Sequence, residues 1–327
     1  MEVRISDLLK DEKEALDLIE ERIRSRLAAE APLLTDISTY LLALGGKRIR
    51  PLVTVLANKL FVNSRTTEEL IDVAAGIELI HMATLLHDDI IDESPIRRHK
   101  VSAYVRFGLA PSLLAGDFLL VRAFGLCAHL DAAIVDATER ACVELTEGEI
   151  LEGQLTSSSP RSLDSYIDVV GKKTASLFAL AGEVGARLAN VSARNVQKMR
   201  TYGYWAGVAF QMIDDILDVV STEDLLGKPS GTDLRQKTPS LVNILWLESG
   251  DRRALDFFTK ETITAGDSAE AMNYLRNTAV IEQCREVAKK YASLAKSAVN
   301  DISDGGLNLF TKEKLLGLID YTLNRCL

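Results

Sequence analysis

Residues 88–92 read DDIID, and residues 214–218 repeat the same D-D-x-x-D pattern as DDILD. Both clusters lie within otherwise apolar stretches that have helical spacing. On a helix, residues four apart share a face, so the first and last aspartates of each cluster stand one above the other. Such carboxylates repel one another. The simpler interpretation is that the clusters are two solvated acidic patches. Two clusters on apolar helices predict hard cations, because Mg²⁺ prefers carboxylate oxygen and shares its coordination with substrate phosphates.

The composition is that of a large globular chain with an acidic balance. Its 327 residues are 47% hydrophobic and carry a formal net charge of −9. This length supports a sizeable core in one large domain or two smaller ones. The negative net charge argues against nonspecific binding to nucleic acid, so no nucleic-acid partner is expected.

Neither secretion nor membrane insertion is expected from the sequence. The opening fifteen residues are charged and lack the apolar centre of a signal peptide. Arg122 and Arg187 interrupt the longest apolar stretches, so no stretch is expected to span a bilayer. The cysteines, which lack metal-ligand spacing, are Cys127, Cys142, Cys284 and Cys326. Reduced thiols and a cytoplasmic location are therefore expected.

Helical periodicity covers nearly the whole chain. Apolar residues recur at helical spacing within the charged residues 16–27, and no convincing strand pattern or Asn-Gly hairpin is found. Residues 66–69, Thr-Thr-Glu-Glu, have the pattern of a capping box before the first cluster, and Ser192 is a candidate cap before the second. These features predict an all-α fold, a single domain of residues 1–327. Its antiparallel helices would form a bundle around a central cavity that receives both aspartate clusters.

The ligand type narrows the choice of metal. A di-iron site in a helical bundle would use glutamates and Glu-x-x-His motifs. The two clusters contain only aspartate as a ligand. The sequence therefore favours Mg²⁺ over iron.

Basic residues stand beside the predicted turns and the acidic clusters. Residues 45–51, GGKRIRP, form a glycine turn followed by three cations, with the proline suited to a first helical turn. Such a turn presents cations and backbone N–H groups to an anion, although it lacks the spacing of a nucleotide P-loop. Further cations stand at residues 97–98, at residues 172–173 and at Lys228. Any one of them alone would be read as a solvated surface charge, but together they predict phosphate binding. His81, two helical turns before the first cluster, is either a structural residue or a phosphate ligand.

These segments resemble a known family, the trans-isoprenyl diphosphate synthases, also called the all-helical polyprenyl synthetase family. The matching segments are GGKRIRP from residue 45, IHMATLLHDDIIDESPIRR from residue 80, Phe107-Gly108, Gly116-Asp117, KKTASLF from residue 172, and FQMIDDILDVVSTEDLLGKPSGTDL from residue 210. The resemblance implies the isoprenoid synthase fold and a homodimer. It also implies Mg²⁺-dependent condensation of isopentenyl diphosphate with an allylic diphosphate such as farnesyl diphosphate.

The resemblance also implies roles for the matched residues. The metal ligands would be Asp88, Asp92 and Asp214, with Asp89, Asp215 and Asp218 as more distant or water-mediated partners. The isopentenyl diphosphate would be bound by Lys47, Arg50, His81 and Arg98. The allylic diphosphate would be bound by Arg97, Lys173 and Lys228, while Thr174 and Gln211 would lie near the developing allylic cation. No side chain is assigned as a base, because the released diphosphate would accept the proton.

Two segments depart from the family pattern. His99-Lys100 stands where the family usually has Gly-Lys, which puts the loop beside Arg97 and Arg98 in question. Residues 236–239, Gln-Lys-Thr-Pro, replace a more usual Gly-Lys-x-Thr stretch and could alter the cover of the site. Neither departure removes a residue with an assigned role.

The residues before the first cluster bear on product length. Short-chain members of the family place a bulky aromatic about one turn before the first aspartate, where this chain has Ala83 and Thr84. A long-chain product, in the hexaprenyl to decaprenyl range, is therefore expected. The next helix could still close the channel at Phe118, Leu119 or Phe124.

Three alternatives remain open at this point. A short-chain geranylgeranyl or farnesyl diphosphate synthase would need its channel closed elsewhere. A terpene cyclase would share the helical fold, but it needs neither the GGKRIRP turn nor the second D-D-x-x-D cluster. A noncatalytic subunit of a heteromeric synthase would tend to lose aspartates, and here all six are present.

Overall fold

The helical periodicity of the sequence becomes helix in the computed structural model, which describes residues 5–62, 66–157, 162–222, 229–303 and 306–325. The first helices are α1 (Ile5–Asp11), α2 (Lys13–Arg26), α3 (Pro32–Ala43), α4 (Ile49–Lys59), α5 (Glu68–Ile91), α6 (Ala103–Phe107), α7 (Leu109–Cys127) and α8 (Ala132–Ser157). They are followed by α9 (Leu163–Val170), a π-helical segment (Gly171–Ala175), α10 (Ser176–Leu188) and α11 (Ala193–Val220). The last helices are α12 (Thr232–Gln236), α13 (Leu241–Glu248), α14 (Arg252–Phe258), α15 (Ala265–Leu275), α16 (Ala279–Asn300) and α17 (Leu309–Asn324). Within the described residues the only sheet is a hairpin of β1 (Ile96–Arg97) and β2 (Lys100–Val101). The expected all-α class is confirmed.

Helix α5, which carries the first aspartate cluster, is apolar on all sides because it lies at the centre of the fold. It packs against α2, α4, α7 and α10. Two of its buried acids are paired with arginines from neighbouring elements: Asp72 pairs with Arg22, and Glu78 pairs with Arg48 at 2.9 Å. A helix of this kind needs no polar face, since it meets protein in every direction.

The caps of the two helices that carry the clusters are single side chains. Thr67 accepts a hydrogen bond from the backbone N–H of Leu70 at 3.2 Å and begins α5. The predicted capping box at residues 66–69 is therefore wrong, because the cap lies one residue later and a leucine takes its third position. Ser192 accepts from the backbone N–H of Asn195 at 3.3 Å, as expected for the cap of α11.

Two helices, α5 and α7, are long and apolar enough to cross a membrane by length and composition alone. The expectation that no stretch has this property is therefore wrong for both. In α5, 78% of the apolar window is buried inside the fold, which accounts for its composition. In α7 only 33% of the window is buried, so this helix keeps an exposed apolar face.

The buried side chains form two clusters that meet at α11. The larger cluster draws on α1 to α8, α10, α16 and α17, while the smaller one draws on α9 and on α12 to α16. Helix α11 supplies Tyr202 to the larger cluster and Met212 to the smaller one. Its last turns, which carry the second aspartate cluster, are packed in the smaller cluster.

Helices α10 and α11 approach each other closely because glycines face the partner backbone. A Cβ at Gly203 would lie 2.0 Å from the carbonyl oxygen of Phe178, and one at Gly182 would lie 2.2 Å from that of Met199. No side chain fits at these positions unless the helices move apart. This close approach sets the distance between the π-helical segment and the second aspartate cluster.

Gly203→Ala is therefore expected to destabilise the protein by about 1–3 kcal/mol or more, the usual range for overpacking a core. The measurement is the free energy of unfolding in urea, compared with that of Gly266→Ala. A Cβ at Gly266 would have only an ordinary contact, at 3.7 Å. Equal stability of the two variants would contradict this packing.

Candidate active site

Both aspartate clusters line one cavity of about 590 Å³. Five of the six cluster aspartates line its wall: Asp88, Asp92, Asp214, Asp215 and Asp218. Other lining residues with expected roles are Arg97, Arg98, Lys173, Thr174 and Gln211. The ends of α5 and α11 and the π-helical segment thus bring together side chains from three distant parts of the sequence.

In the first cluster, Asp88 and Asp89 have different environments. Burial raises the pKa of Asp88 to about 7, with Asp92 and Glu149 adding to the effect and Lys173 opposing it. Asp89 is buried and points to the hairpin, where the Nε of Arg97 donates to its Oδ1 at 2.7 Å. The Asp88 carboxylate therefore faces the cavity with its charge poorly compensated, whereas Asp89 holds an arginine.

In the second cluster, Asp215 is occupied by three hydrogen bonds. Its Oδ2 accepts from the hydroxyl of Tyr166 at 2.7 Å and from the backbone N–H of Leu241 at 2.9 Å. Its Oδ1 accepts from the Nε2 of Gln211 at 2.9 Å. Burial raises the pKa of Asp215, and these hydrogen bonds act in the opposite direction. The Asp215 carboxylate thus serves to position other groups, while Asp214 forms an ion pair with Arg325 at 2.7 Å.

A hydrogen-bonded chain joins Thr174 to this carboxylate. The Thr174 hydroxyl donates to the Oε1 of Gln211 at 3.0 Å, and Gln211 in turn donates to Asp215. Since each donor is matched to an acceptor, the hydroxyl and amide oxygens are held in fixed directions at the cavity wall. Fixed oxygen dipoles of this kind can stabilise positive charge that develops nearby.

The π-helical segment places Lys173 and Thr174 at the cavity, and the sequence pattern did not predict it. Such segments interrupt an α-helix and are frequent at functional sites. The backbone of α8 comes very close to it at Gly148, where a Cβ would lie 2.3 Å from the backbone nitrogen of Lys173. Lys173 pairs with Glu149 at 2.8 Å and with Glu152. Burial acts to lower the pKa of this ammonium, but the two glutamates and Asp88 raise it above its ordinary value.

Gly148→Ala is expected to displace the π-helical segment and to lower kcat/KM about 10- to 100-fold for the allylic substrate that the sequence resemblance implies. Misplacement of reacting groups by about 1 Å can cost about 100-fold in rate. Gly153→Ala on the same helix is the matched control, because nothing lies within 4 Å of a Cβ there. Equal kcat/KM values in the two variants would show that the close approach at Gly148 does not position the site.

The hairpin turns Arg97 and Arg98 toward the cavity. Its two turn residues, Arg98 and His99, have φ angles of 50° and 62°, as in the tight turns that join twisted strands. The absence of a hairpin signal in the sequence was misleading, because Arg-His replaces the usual glycine or asparagine. The departure at His99 therefore leaves the turn in place, with a bulky residue in a backbone region that favours glycine.

The glycine turn at residues 45–46 leads into α4, and the three cations that follow it have different environments. The backbone at Gly45 and Gly46 has φ angles of 81° and 154°, which a glycine tolerates. Arg48 turns inward to Glu78, whereas the Nζ of Lys47 is exposed and donates to the hydroxyl of Tyr321 at 2.6 Å. The turn thus offers two of its cations to a ligand, Lys47 and Arg50.

Arg50 and His81 lie together in a basic environment. The guanidinium of Arg50 stacks on Phe178 at 4.6 Å, and burial lowers its pKa to about 10, although Glu78, Asp214 and Asp88 oppose this. Burial and then the charge of Arg50, Arg98, Arg97 and Arg48 lower the pKa of His81 well below its ordinary value. A neutral imidazole among several guanidinium groups can donate a hydrogen bond to an anion without adding charge. Of the four residues expected to bind isopentenyl diphosphate, Arg98 lines the cavity, whereas Lys47, Arg50 and His81 are not among its lining residues. Their role in binding this substrate stays a prediction.

The remaining sequence expectations have mixed outcomes. Lys228 lies outside the described residues. The amide of Gln236, one of the residues that depart from the family pattern, donates to the carbonyl oxygen of Asp92 at 3.0 Å and so links α12 to the end of α5.

Leu85 lines the cavity one turn before the first cluster, whereas Ala83 and Thr84 are not among its lining residues. Their role in product length stays a prediction.

The donor set of the cavity fits Mg²⁺ that is shared with a substrate. No group of three or more His, Cys, Asp or Glu side chains in the described parts of the chain can hold an ion unaided. Asp88 and Asp92 offer only carboxylate oxygens, and a bound cation would offset the burial that raises the pKa of Asp88. Mg²⁺ in enzymes is commonly held by one or two carboxylates together with substrate phosphates. A site of this kind needs no protein cage.

Several side chains in the site were not identified from the sequence. They are Tyr166, Glu149, Glu152, Tyr321 and Arg325. The spacing of Glu149 and Glu152 places them on one helix face, which was a usable signal. The others come from elements whose distance to the clusters depends on tertiary packing.

Comparison with known proteins gives consistent matches over most of the chain. The family model described as polyprenyl synthetase matches residues 31–275. A geranylgeranyl diphosphate synthase of Methanosarcina mazei is 32% identical and is aligned over 88% of each chain. An octaprenyl diphosphate synthase of Haemophilus influenzae is 35% identical over 78% of this chain and 77% of the relative. The crystal structure of a polyprenyl synthase from Caulobacter crescentus, complexed with calcium and isoprenyl diphosphate, is 31% identical with a TM-score of 0.93. It covers 100% of this chain and 99% of that one.

Proposed function

The chain belongs to the polyprenyl synthetase family, and on that premise we propose that it is a Mg²⁺-dependent synthase of long-chain all-trans polyprenyl diphosphates. Membership makes it a prenyltransferase that condenses isopentenyl diphosphate with an allylic diphosphate. The observation that carries the proposal is the meeting of both D-D-x-x-D clusters with Arg97, Arg98 and Lys173 in one cavity. The allylic primer proposed is farnesyl diphosphate or a similar compound.

Ionisation of the allylic substrate is the step that the cations of the site would assist. Cleavage of the carbon–oxygen bond creates a diphosphate leaving group and an allylic carbocation. We assign Arg97 and Lys173 to the leaving oxygens, since fixed charges in a partly buried site stabilise charge as it develops. Bound Mg²⁺, held by Asp88, Asp92 and Asp214, would supply further stabilisation of the leaving diphosphate.

The carbocation would be formed beside the oxygens of Thr174 and Gln211. Their hydrogen-bonded chain to Asp215 holds these oxygens in place without reorganisation. Water must be kept away from the cation, because it would quench it. Lys47, Arg50, His81 and Arg98 would hold isopentenyl diphosphate so that its double bond attacks the cation, and the released diphosphate would take the proton.

The long-chain assignment rests on the small residues before Asp88. Ala83 and Thr84 stand where short-chain members carry a bulky aromatic, and Ile77 and Ile80 continue the apolar surface further down α5. The relatives include both geranylgeranyl and octaprenyl diphosphate synthases, so the alternative is a short-chain product. Of the residues named as possible closures, Leu119 is buried, while Phe124 is 39% exposed on the outer face of α7. Phe124 is therefore unsuited to close an internal channel.

The direct test is incubation of the purified protein with Mg²⁺, farnesyl diphosphate and labelled isopentenyl diphosphate, followed by chromatography of the hydrolysed products. The proposal predicts metal-dependent products of six to ten isoprene units, the hexaprenyl to decaprenyl range given above. A product that stops at geranylgeranyl length would overturn the long-chain assignment and leave the prenyltransferase intact. If chelation of divalent ions leaves turnover unchanged, the metal assignment is overturned.

We further propose that residues 1–327 form one domain in the cytoplasm and that two copies associate through α7 and α8. Helix α7 exposes Leu114, Val121 and Phe124, and α8 exposes Val143 and Ile150. The spacings of seven and three residues put each set on one helix face, which suits packing against another helix. The unpaired thiols among the described cysteines, Cys127, Cys142 and Cys284, support a reducing compartment.

Val121→Lys is expected to weaken the dimer, because it would bury an ammonium at the centre of the apolar face. Analytical ultracentrifugation should show a shift to monomer, whereas Leu255→Lys, an exposed leucine on α14, should leave the dimer intact. A monomeric parent protein would contradict the proposal, and recruitment of that monomer to phospholipid vesicles would assign the face to a membrane surface instead.

A further inference from the structure

The last turn of α17 places an arginine on one of the proposed metal ligands. The Nη2 of Arg325 lies 2.7 Å from the Oδ1 of Asp214, and its guanidinium carbon lies 4.7 Å above the ring of Phe210. Both side chains are partly shielded, with 19% of Arg325 and 36% of Asp214 exposed. The Nη1 of Arg325 is buried and finds no hydrogen-bond partner within the described residues.

The ion pair is not needed to hold α17 in the fold. The hydroxyl of Tyr202 donates to the carbonyl oxygen of Leu315 at 2.8 Å, and Lys314 pairs with Glu12 at 2.7 Å. Leu315, Leu318 and Ile319 are all buried in the larger core cluster. A partly exposed ion pair adds little to such an anchor. The position of Arg325 therefore calls for an explanation beyond docking of the helix.

We propose that Arg325 acts as a cation that competes with the divalent metal for Asp214. In the absence of metal and diphosphate, the guanidinium neutralises this carboxylate and stacks on Phe210. A metal ion that binds the Oδ1 of Asp214 competes with the guanidinium for the same oxygen, so metal–diphosphate binding there displaces Arg325. The inference rests on the proposed function only in taking Asp214 as a metal ligand.

The competition makes Arg325 a determinant of metal affinity at only one of the proposed metal positions, the one at Asp214. Removal of the guanidinium should tighten binding of the ion at Asp214 about twofold to fivefold, the range for loss of a partly exposed ion pair. Ions held by Asp88 and Asp92 should be unaffected. A lysine at position 325 retains the charge and should retain most of the competition.

The test is a Mn²⁺ titration of the full chain in the presence of inorganic diphosphate, with free Mn²⁺ measured by electron paramagnetic resonance. The variants are Arg325→Gln, Arg325→Lys, Asp214→Asn and the double variant that combines the glutamine and asparagine substitutions. Arg325→Gln is expected to tighten one Mn²⁺ site. In the Asp214→Asn background it should change nothing, because the contested carboxylate is gone. A persistent effect in that background would indicate only the loss of a positive charge from the cavity and would overturn direct competition.

The outcomes separate this inference from the proposed function. If Asp214→Asn binds as many Mn²⁺ ions as the parent protein, the metal assignment of Asp214 fails. If Asp214→Asn loses one ion but Arg325→Gln binds no tighter than the parent, the competition alone fails. Weaker binding in Arg325→Gln would also overturn it, since the arginine would then be helping to bind diphosphate. Thermal midpoints of all variants show whether the fold is retained.

Discussion

Replacement of Asp88 by asparagine is expected to lower kcat at least about a thousandfold. The substitution keeps the shape of the side chain but removes a carboxylate that lines the cavity together with Lys173 and Asp92. Metal ions contribute several kcal/mol to the stabilisation of charge on phosphoryl oxygens, and each 1.36 kcal/mol is tenfold in rate. The measurement is kcat at saturating substrates over a range of Mg²⁺ concentrations.

The fold should tolerate Asp88→Asn, so loss of activity would not be loss of structure. Burial disfavours the charged form of Asp88, and an asparagine of the same shape carries no such cost. The thermal midpoint is therefore expected not to fall. Asp17→Asn on α2, an exposed residue that pairs with Lys13, is the matched control and should retain full activity. If Asp88→Asn keeps a tenth or more of the parent kcat, the role assigned to Asp88 is wrong.

Ala83→Phe is expected to shorten the product to about geranylgeranyl length or below. A phenyl ring one turn before Asp88 would occupy the space that the growing chain needs on α5. Ala83 is fully buried, so the ring must displace neighbours, and a cost of about 1–3 kcal/mol in stability accompanies the change. The measurement is the distribution of product lengths by chromatography at matched turnover.

Ala74→Phe separates product control from overpacking. Ala74 is also fully buried on α5, but nine residues away it faces the opposite side of the helix. It should destabilise the protein as much as Ala83→Phe while leaving the product length unchanged. An unaltered product in Ala83→Phe, or the same shortening in both variants, would exclude a channel along this face.

The sequence predicted the fold class and the chemistry well because both depend on local patterns. Apolar periodicity reports helices directly, and two D-D-x-x-D clusters report a demand for cations wherever they lie. The predictions from sequence were wrong where the local sequence patterns are weak. The hairpin at residues 96–101 uses Arg98 and His99 at positions that usually hold glycine, so its turn was not recognised. The apolar composition of α7 was underestimated because Arg122 appeared to interrupt it.

Only the tertiary structure decided which charges are available at the site. The chain carries Lys47, Arg48 and Arg50 side by side, yet Arg48 is used by Glu78 inside the fold. The two neighbours Asp214 and Asp215 likewise differ, because one meets Arg325 and the other meets Tyr166, Gln211 and Leu241. The partners of a charge come from helices that are distant in sequence, and close packing at Gly148 and Gly203 fixes their approach. The sequence thus determined by itself an all-helical fold with two acidic clusters, from which a need for cations is predicted. Three-dimensional packing determined which carboxylates face the cavity, because pairing and burial depend on neighbours that no local pattern specifies.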